Sequence, residues 1–160
     1  MEWSVLSQIS GLVWPTAAGA SAHQTHLIIV AALFGAVNIL WLVVLSILVV
    51  VQRQKGRIAT GDGGNPALRN AIRAHANHAE YIAAALASFI FLALLGASSL
   101  LLHILAGGFT LGRILSGIGL STNAEKPLLT RVIGTVLTFV TLALMGIAIL
   151  FYALHAHGLF

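Results

Sequence analysis

Four long apolar stretches, parted by short polar ones, set the pattern of this chain. Leu27 to Val51 runs for 25 residues without a charge, more than the ~20 a helix needs to cross the hydrocarbon core of a bilayer. The second stretch, Leu68 to Leu95, opens with Arg69, Arg73, His75, Asn77, His78 and Glu80 and continues as a largely apolar run from Tyr81. The third, Leu100 to Leu120, carries one charge, Arg113. The fourth, Leu128 to His155, has Arg131 in its first turn and is apolar beyond it. The pattern predicts an all-α integral membrane protein, a bundle of four transmembrane helices.

The connections agree with four spans. Gly61, Asp62, Gly63, Gly64, Asn65 and Pro66 form a strong turn signal, with Pro66 suited to a helix start. Gly96 to Ser99 is a short uncharged turn, and Ser121 to Pro127 is a second polar loop. Residues 1–26 are a separate segment in which Trp3, Leu6, Ile9, Leu12 and Trp14 alternate with polar residues before Pro15. Tryptophans in an uncharged amphipathic stretch suit a membrane interface; a loosely ordered leader fits the same residues. The membrane domain is thus residues 27–155, followed by a tail, 156–160.

Composition sharpens the class. The chain is 59% hydrophobic and only 8% charged, against about 25% charged in soluble domains. There are no cysteines, which removes disulfides, cysteine metal sites and thiol nucleophiles. The net charge of +4 comes without a basic stripe interleaved with aromatics, so nucleic acid is not an expected partner. A basic leader is missing, since the first basic residue is Arg53, and no signal peptide is expected. Arg53, Lys55, Arg57, Arg69, Arg73, Lys126 and Arg131 flank the first and third loops, whereas the second loop and both tails carry no Lys or Arg. The positive-inside rule then places loops 52–67 and 121–127 in the cytoplasm and both termini outside.

Candidate chemistry lies on the second span. At about 100° per residue, Arg69, Arg73, Asn77 and Glu80 share an arc of roughly 80°, while His75 and His78 fall on the opposite side. Ionisable groups at membrane depth are costly and mark functional positions. Glu80 lies 16 residues before Gly96, and Arg113 lies 14 residues after Ser99; at ~1.5 Å per residue their depths nearly coincide. Spacing therefore predicts a Glu80–Arg113 contact. It could serve only to fix helix register. One glutamate does not neutralise both Arg73 and Arg113, however, and the surplus positive charge with Asn77 suits an anionic ligand such as a carboxylate or peptide. Asn38, mid-span on the first helix, is expected to hydrogen-bond a neighbouring helix. The histidines lack a metal-binding pattern and read as core or interface residues, so no metal site is expected. Gly108 and Gly112 form a G-x-x-x-G, and Ala83, Ala84, Ala87 and Ser88 offer a small-residue surface. Both point to close helix approach and association.

The run R-A-H-A-N-H-A-E-Y (Arg73 to Tyr81), with G-D-G-G-N (Gly61 to Asn65) before it and G-R (Gly112, Arg113) after it, resembles the MAPEG family, the membrane-associated proteins in eicosanoid and glutathione metabolism. The G-D-G-G-N turn looks most like the bacterial branch, and the resemblance covers about Leu27 to Leu154. It implies a homotrimer of four-helix protomers in a bacterial inner membrane, binding glutathione in a cleft between subunits that opens toward the cytoplasm. Arg73, Asn77 and Glu80 match second-helix residues that hold glutathione. Arg113 matches the third-helix arginine that pairs with the glutamate. Arg53 aligns with a basic residue reaching the ligand from the adjacent subunit. Arg131 stands near a fourth-helix arginine associated with thiolate stabilisation, which makes it the candidate catalytic residue.

The chain departs from the family pattern at several donors. Ser116 and Leu120 stand where eukaryotic enzymes carry His or Tyr, Ala76 replaces an arginine beside the asparagine, and Val132, Ile133 and Gly134 replace a region with an expected Tyr. The spare hydroxyls nearby are those of Ser116, Thr130 and Tyr81. Two functions follow from the resemblance: conjugation or reduction of hydrophobic electrophiles or peroxides with glutathione, or a non-catalytic lipid-binding or scaffold trimer. A channel or transporter would need a continuous polar path, which the first and fourth spans do not offer.

Overall fold

The computed structural model describes residues 22–122 and 129–158. Most of the amino-terminal segment, Lys126 and most of the 121–127 loop lie outside the described residues. Among those described, the chain forms four helices: α1 (Ala22–Gly56), α2 (Pro66–Leu94), α3 (Ser99–Ser121) and α4 (Leu129–Ala156). All four are long and apolar enough to cross a membrane. α1 is longer than its apolar run at both ends. Its 35 residues span about 50 Å, and nothing in His23 to His26 or Gln52 to Gly56 breaks the helix.

The connections use local chemistry written in the chain. At the end of α1 the N–H of Ile58 donates to Arg53 O (3.0 Å) and that of Arg57 to Gln54 O (3.2 Å). This is a Schellman closure with Arg57 in the left-handed region at φ 52°. Asn65 caps α2, its side chain accepting from the N–H groups of Ala67 and Leu68, and Pro66 takes the first helical position. α2 ends in a second Schellman closure at Gly96 (φ 71°), with Ala97 N–H donating to Leu92 O at 3.0 Å. Ser98 then caps α3 by accepting from Leu101 N–H.

α3 is the centre of the bundle. It packs against each of the other helices, whereas α1 and α4 do not pack on one another. Ten of its residues are buried, against four on α4. On α2 the buried positions Ala71, Ala74, His78, Ile82, Ala85, Phe89 and Leu92 recur every three or four residues, the seam of a helix packed on neighbours. Phe89 and Phe109 meet edge to face at the middle of the apolar core (6.0 Å between centroids). Large apolar side chains such as Leu33, Leu40, Ile133, Ile147 and Leu150 point outward, as expected where the surrounding solvent is hydrocarbon.

The G-x-x-x-G of α3 is used inside the protomer. A Cβ at Gly108 would lie 2.8 Å from Thr141 Cγ2, and one at Gly112 would lie 2.9 Å from Thr138 Oγ1 and 3.0 Å from Gly134 O, all on α4. The pair therefore seats α4 on α3 and is not free for association. Ala83, Ala84 and Ala87 on α2 do remain on the surface, with Ser88 half-buried.

At the Gly96 turn, polar side chains tie α1 to the α2–α3 connection. His23 Nε2 lies 3.3 Å from Ala97 O, Gln24 donates to Leu94 O (3.1 Å), and His26 Nε2 lies 3.1 Å from Ser99 Oγ. His103 Nδ1 lies 2.8 Å from Ser99 O. His23 and His26 act as helix ties, while His103 bonds back within α3.

Candidate functional site: a buried arginine held between α2 and α4

A guanidinium sits in the middle of the bundle. Arg113 is 1% exposed and donates in three directions: Nη2 to Asn77 Oδ1 (2.8 Å), Nε to His78 Nδ1 (3.3 Å) and Nη1 to Thr138 Oγ1 (3.4 Å). Its carbon centre also lies 5.1 Å from the centroid of the Tyr81 ring, a cation–π contact. Every one of these partners is neutral.

The network continues into α1. Nε2 of His78 lies 3.0 Å from the backbone carbonyl of Asn38. The Asn38 amide donates to Thr110 Oγ1 (2.8 Å) and to Phe34 O (2.9 Å), while Thr110 donates back to Ala106 O. Asn38 thus bonds a neighbouring helix, as its mid-span position predicts. Thr138 donates to Gly134 O (2.7 Å) on its own helix, leaving its lone pairs toward Arg113. The close α3–α4 approach at Gly112 and Gly134 is what brings this α4 hydroxyl within reach.

The Glu80–Arg113 pair anticipated from spacing does not form within the protomer. No ion pair within 4.0 Å joins them, and among the described residues the ion pair present is Arg69–Asp62, at 3.9 Å. Equal depth along two helices does not place two side chains on facing surfaces. With His78 pointing at α3, Glu80 lies about 200° around α2 and faces away. Asn77, one turn along, sits on the shoulder between the two faces and takes the contact.

The remaining sequence candidates divide by location. Arg73 and Glu80 are exposed and Asn77 is half-buried. Arg53 donates from Nη1 to Gly61 O (2.9 Å) and Ala59 O (3.3 Å), clamping the loop after α1. It stands 15 residues beyond Asn38, about 22 Å along α1, so within one protomer it does not approach the network. Arg131 is half-buried beside Val132, Thr135 and Val136 at a shallow pocket of about 340 Å³. It lies seven residues before Thr138, roughly 10 Å along α4. Gly119 packs against its backbone, where a Cβ would fall 2.7 Å from Arg131 N.

Among the spare hydroxyls, Ser116 Oγ and Thr130 Oγ1 are buried with no hydrogen-bond partner among the described residues, while the Tyr81 ring packs on Phe139 of α4 (5.7 Å between centroids). Sequence reasoning missed His78 and Thr138 as members of the network. The signal for His78 was its place on the α2 seam that Ala71, Ile82 and Phe89 define. No group of three or more potential metal ligands occurs among the described residues. An apolar groove of about 440 Å³ between α1 and α2, lined by residues including Ala32, Gly35, Ala36, Ile39, Leu86 and Ile90, shares no residue with the network.

Four membrane-crossing helices around a buried, neutral-partnered arginine define an integral membrane protein with a polar centre. Sequence comparison narrows the class: the MAPEG family profile matches residues 30–151, and the chain belongs to that family. It is 34% identical over 123 residues to the Inner membrane protein YecN of Escherichia coli strain K12, covering 77% of this chain and 92% of that protein. The same identity and coverage hold for YecN of Escherichia coli O6:H1 strain CFT073. No solved structure matches the chain significantly.

Proposed function

We propose that this protein binds glutathione at the outward face of α2 and uses it on hydrophobic electrophiles or peroxides, in a cleft completed by a second copy of the chain within a trimer. Family membership supports a relationship to glutathione-using membrane enzymes. The observation that carries the reading is the outward face itself. Arg69, Arg73, Ala76, Glu80, Ala83 and Ala87 recur every three or four residues directly opposite the buried seam, and Arg73 and Glu80 are exposed there. Ionisable side chains such as these are costly against lipid at membrane depth, so a protein surface or a wet cleft is their fitting environment. Interleaved alanines let another helix approach closely.

In this arrangement Arg73 and Asn77 supply donors to the ligand's carboxylates, Glu80 accepts from its amine, and Arg113 adds positive charge from behind Asn77. Arg53, remote from this site in its own protomer, reaches it from a neighbour. Thiolate is the reactive form of a thiol, and the Arg131 charge would favour it. The groove between α1 and α2 offers an apolar surface for a hydrophobic co-substrate. The charge bias of the loops supports an orientation with loops 52–67 and 121–127 on the cytoplasmic side.

A second reading, a lipid-binding or scaffold trimer, draws on the donors this chain lacks at Ala76, Ser116 and Leu120 and on the wholly apolar lining of the 440 Å³ groove. Calorimetry of glutathione binding to detergent-purified protein separates the two. Saturable binding that disappears in Arg73→Ala, with the oligomer intact, is the expected result. Absence of binding at millimolar glutathione refutes the glutathione reading in favour of the second.

A further inference from the structure

His78 holds the far side of the Arg113 guanidinium, and its two nitrogens face opposite demands. Nδ1 sits opposite the Arg113 Nε–H, which can only donate, so Nδ1 must offer a lone pair. Nε2 sits opposite a backbone carbonyl, which can only accept, so Nε2 must carry the proton. Both demands are met by one species, the neutral imidazole protonated on Nε2. The ring is fully buried, and its carbonyl partner lies on α1, whose Asn38 side chain is bonded to α3 through Thr110. His78 is therefore fixed at both ends.

We infer that His78 is a positioning residue for the proposed glutathione site, one that sets the orientation of Arg113 without touching the ligand; the inference rests on the functional reading given above. The geometry carries it. Arg113 has five N–H donors. His78 takes the Nε–H and Thr138 takes one Nη1 hydrogen, which leaves Nη2 to donate to Asn77 beside His78. Asn77 is half-buried and borders the outward face, so its amide orientation is set by the guanidinium it accepts from. With Oδ1 committed to Arg113, the Asn77 NH₂ is directed elsewhere and is the donor left for a ligand carboxylate. The chain His78–Arg113–Asn77 thus connects α1, through Asn38, to the face on which the anion would bind. No apolar residue at position 78 could do this, although one would suit the buried, membrane-embedded position better on packing grounds alone.

The test compares two substitutions that packing and positioning rank in opposite order. His78→Leu fills similar volume with no acceptor. His78→Asn keeps an acceptor near the Nδ1 position but gives up the reach to the Asn38 carbonyl. Glutathione affinity is measured by calorimetry and stability by thermal melting, in detergent, for the wild-type protein and both variants. Positioning predicts that His78→Leu raises the glutathione Kd about tenfold or more, and that His78→Asn restores the affinity to within about threefold although both variants melt below the wild type. Equal affinity in wild type and His78→Leu, or equal losses in both variants, overturns it.

A wild-type measurement covers the case in which His78→Leu does not fold. ¹⁵N NMR of histidine-labelled protein near neutral pH should show one buried imidazole protonated on Nε2 alone that is missing from the His78→Asn spectrum; protonation on Nδ1 overturns the inference. Wild-type protein that binds no glutathione overturns the functional reading and the inference together, whereas binding that ignores His78→Leu overturns the inference alone.

Discussion

Replacing Gly134 by alanine puts one methyl group into the tightest contact of the bundle. Its Cβ would fall 2.6 Å from both the N and Oγ of Ser116 and 2.7 Å from the carbonyl oxygen of Gly112. Non-bonded heavy atoms of this kind rest at about 3.5 Å or beyond, so α3 and α4 must part by roughly 1 Å there. Two of the three contacts are α3 backbone, which has no rotamer to move into. Overpacking of this sort costs about 1–3 kcal/mol, or roughly 2–4 °C of melting temperature per kcal/mol for a chain of this length. The separation also removes Thr138 from Arg113, because that hydrogen bond is already 3.4 Å long. Gly146→Ala, on the same helix but with no atom within 4 Å of the added Cβ, is the control. It should be neutral or stabilising by up to ~1 kcal/mol through helix propensity. Thermal denaturation followed by circular dichroism in detergent reads both variants. A Gly134→Ala protein that melts with the wild type or above it refutes the packed α3–α4 seam.

Other perturbations probe separate parts of the account. Asn38→Ala loses the bond to Thr110 and should destabilise the bundle by about 0.6–1.7 kcal/mol; an unchanged melting temperature in the same assay speaks against an Asn38–Thr110 link. Gly96→Ala places a side chain at φ 71° and should cost about 1–2 kcal/mol, checked by thermal melting, with Gly96→Asn closer to the wild type because Asn tolerates this region. Trp41→Phe removes the indole atoms Cζ2, Nε1 and Cε2 that lie over Gly117, and with them an N–H that has no partner among the described residues. Losing those packed atoms should lower stability by about 1–3 kcal/mol in the melting assay, and an unchanged melting temperature would speak against the Trp41–Gly117 contact. Glu80→Gln removes no ion pair among the described residues, so the monomer's helical content should be unchanged while the oligomer dissociates at lower temperature in size-exclusion runs.

Much of the fold could be read from the chain because its signals are strong and local. Long charge-free runs leave membrane crossing as the way to satisfy them, and Asn65-Pro66 and Gly96 mark helix ends through capping chemistry that needs no tertiary context. The polar centre was legible only in part. The helical wheel separates Arg73, Asn77 and Glu80 from His75 and His78, but both faces of α2 are polar in this stretch, so the pattern alone did not say which one turns inward. The apolar residues further along α2, Ile82, Ala85 and Phe89, settle that question only when the helix is read as continuous and straight. Depth counted from the Gly96 turn put Arg113 near the correct level, but depth is one coordinate, and the facing angle decided for Asn77 and His78 over Glu80. Gly108 and Gly112 show the same limit: a small-residue stripe announces a close neighbour without saying whether that neighbour belongs to the same protomer. Thr138 was invisible because back-bonded threonines recur along α4, and only the α3–α4 approach singles one out.

In the proposed function, the Arg73–Glu80 face of α2 meets a second copy of the chain. Because the chain has no cysteine, single cysteines can report on it without background. Ala76→Cys lies between Arg73 and Glu80 on that face, and Ile147→Cys lies on the outward surface of α4, where the side chain is 64% exposed. Treating membranes with a short bifunctional thiol reagent should link Ala76→Cys into covalent oligomers and leave Ile147→Cys monomeric, and S-methylglutathione, whose blocked sulfur does not consume the reagent, should alter the yield at Ala76→Cys. Monomeric Ala76→Cys, labelled by a lipid-soluble maleimide as readily as Ile147→Cys, would contradict the account.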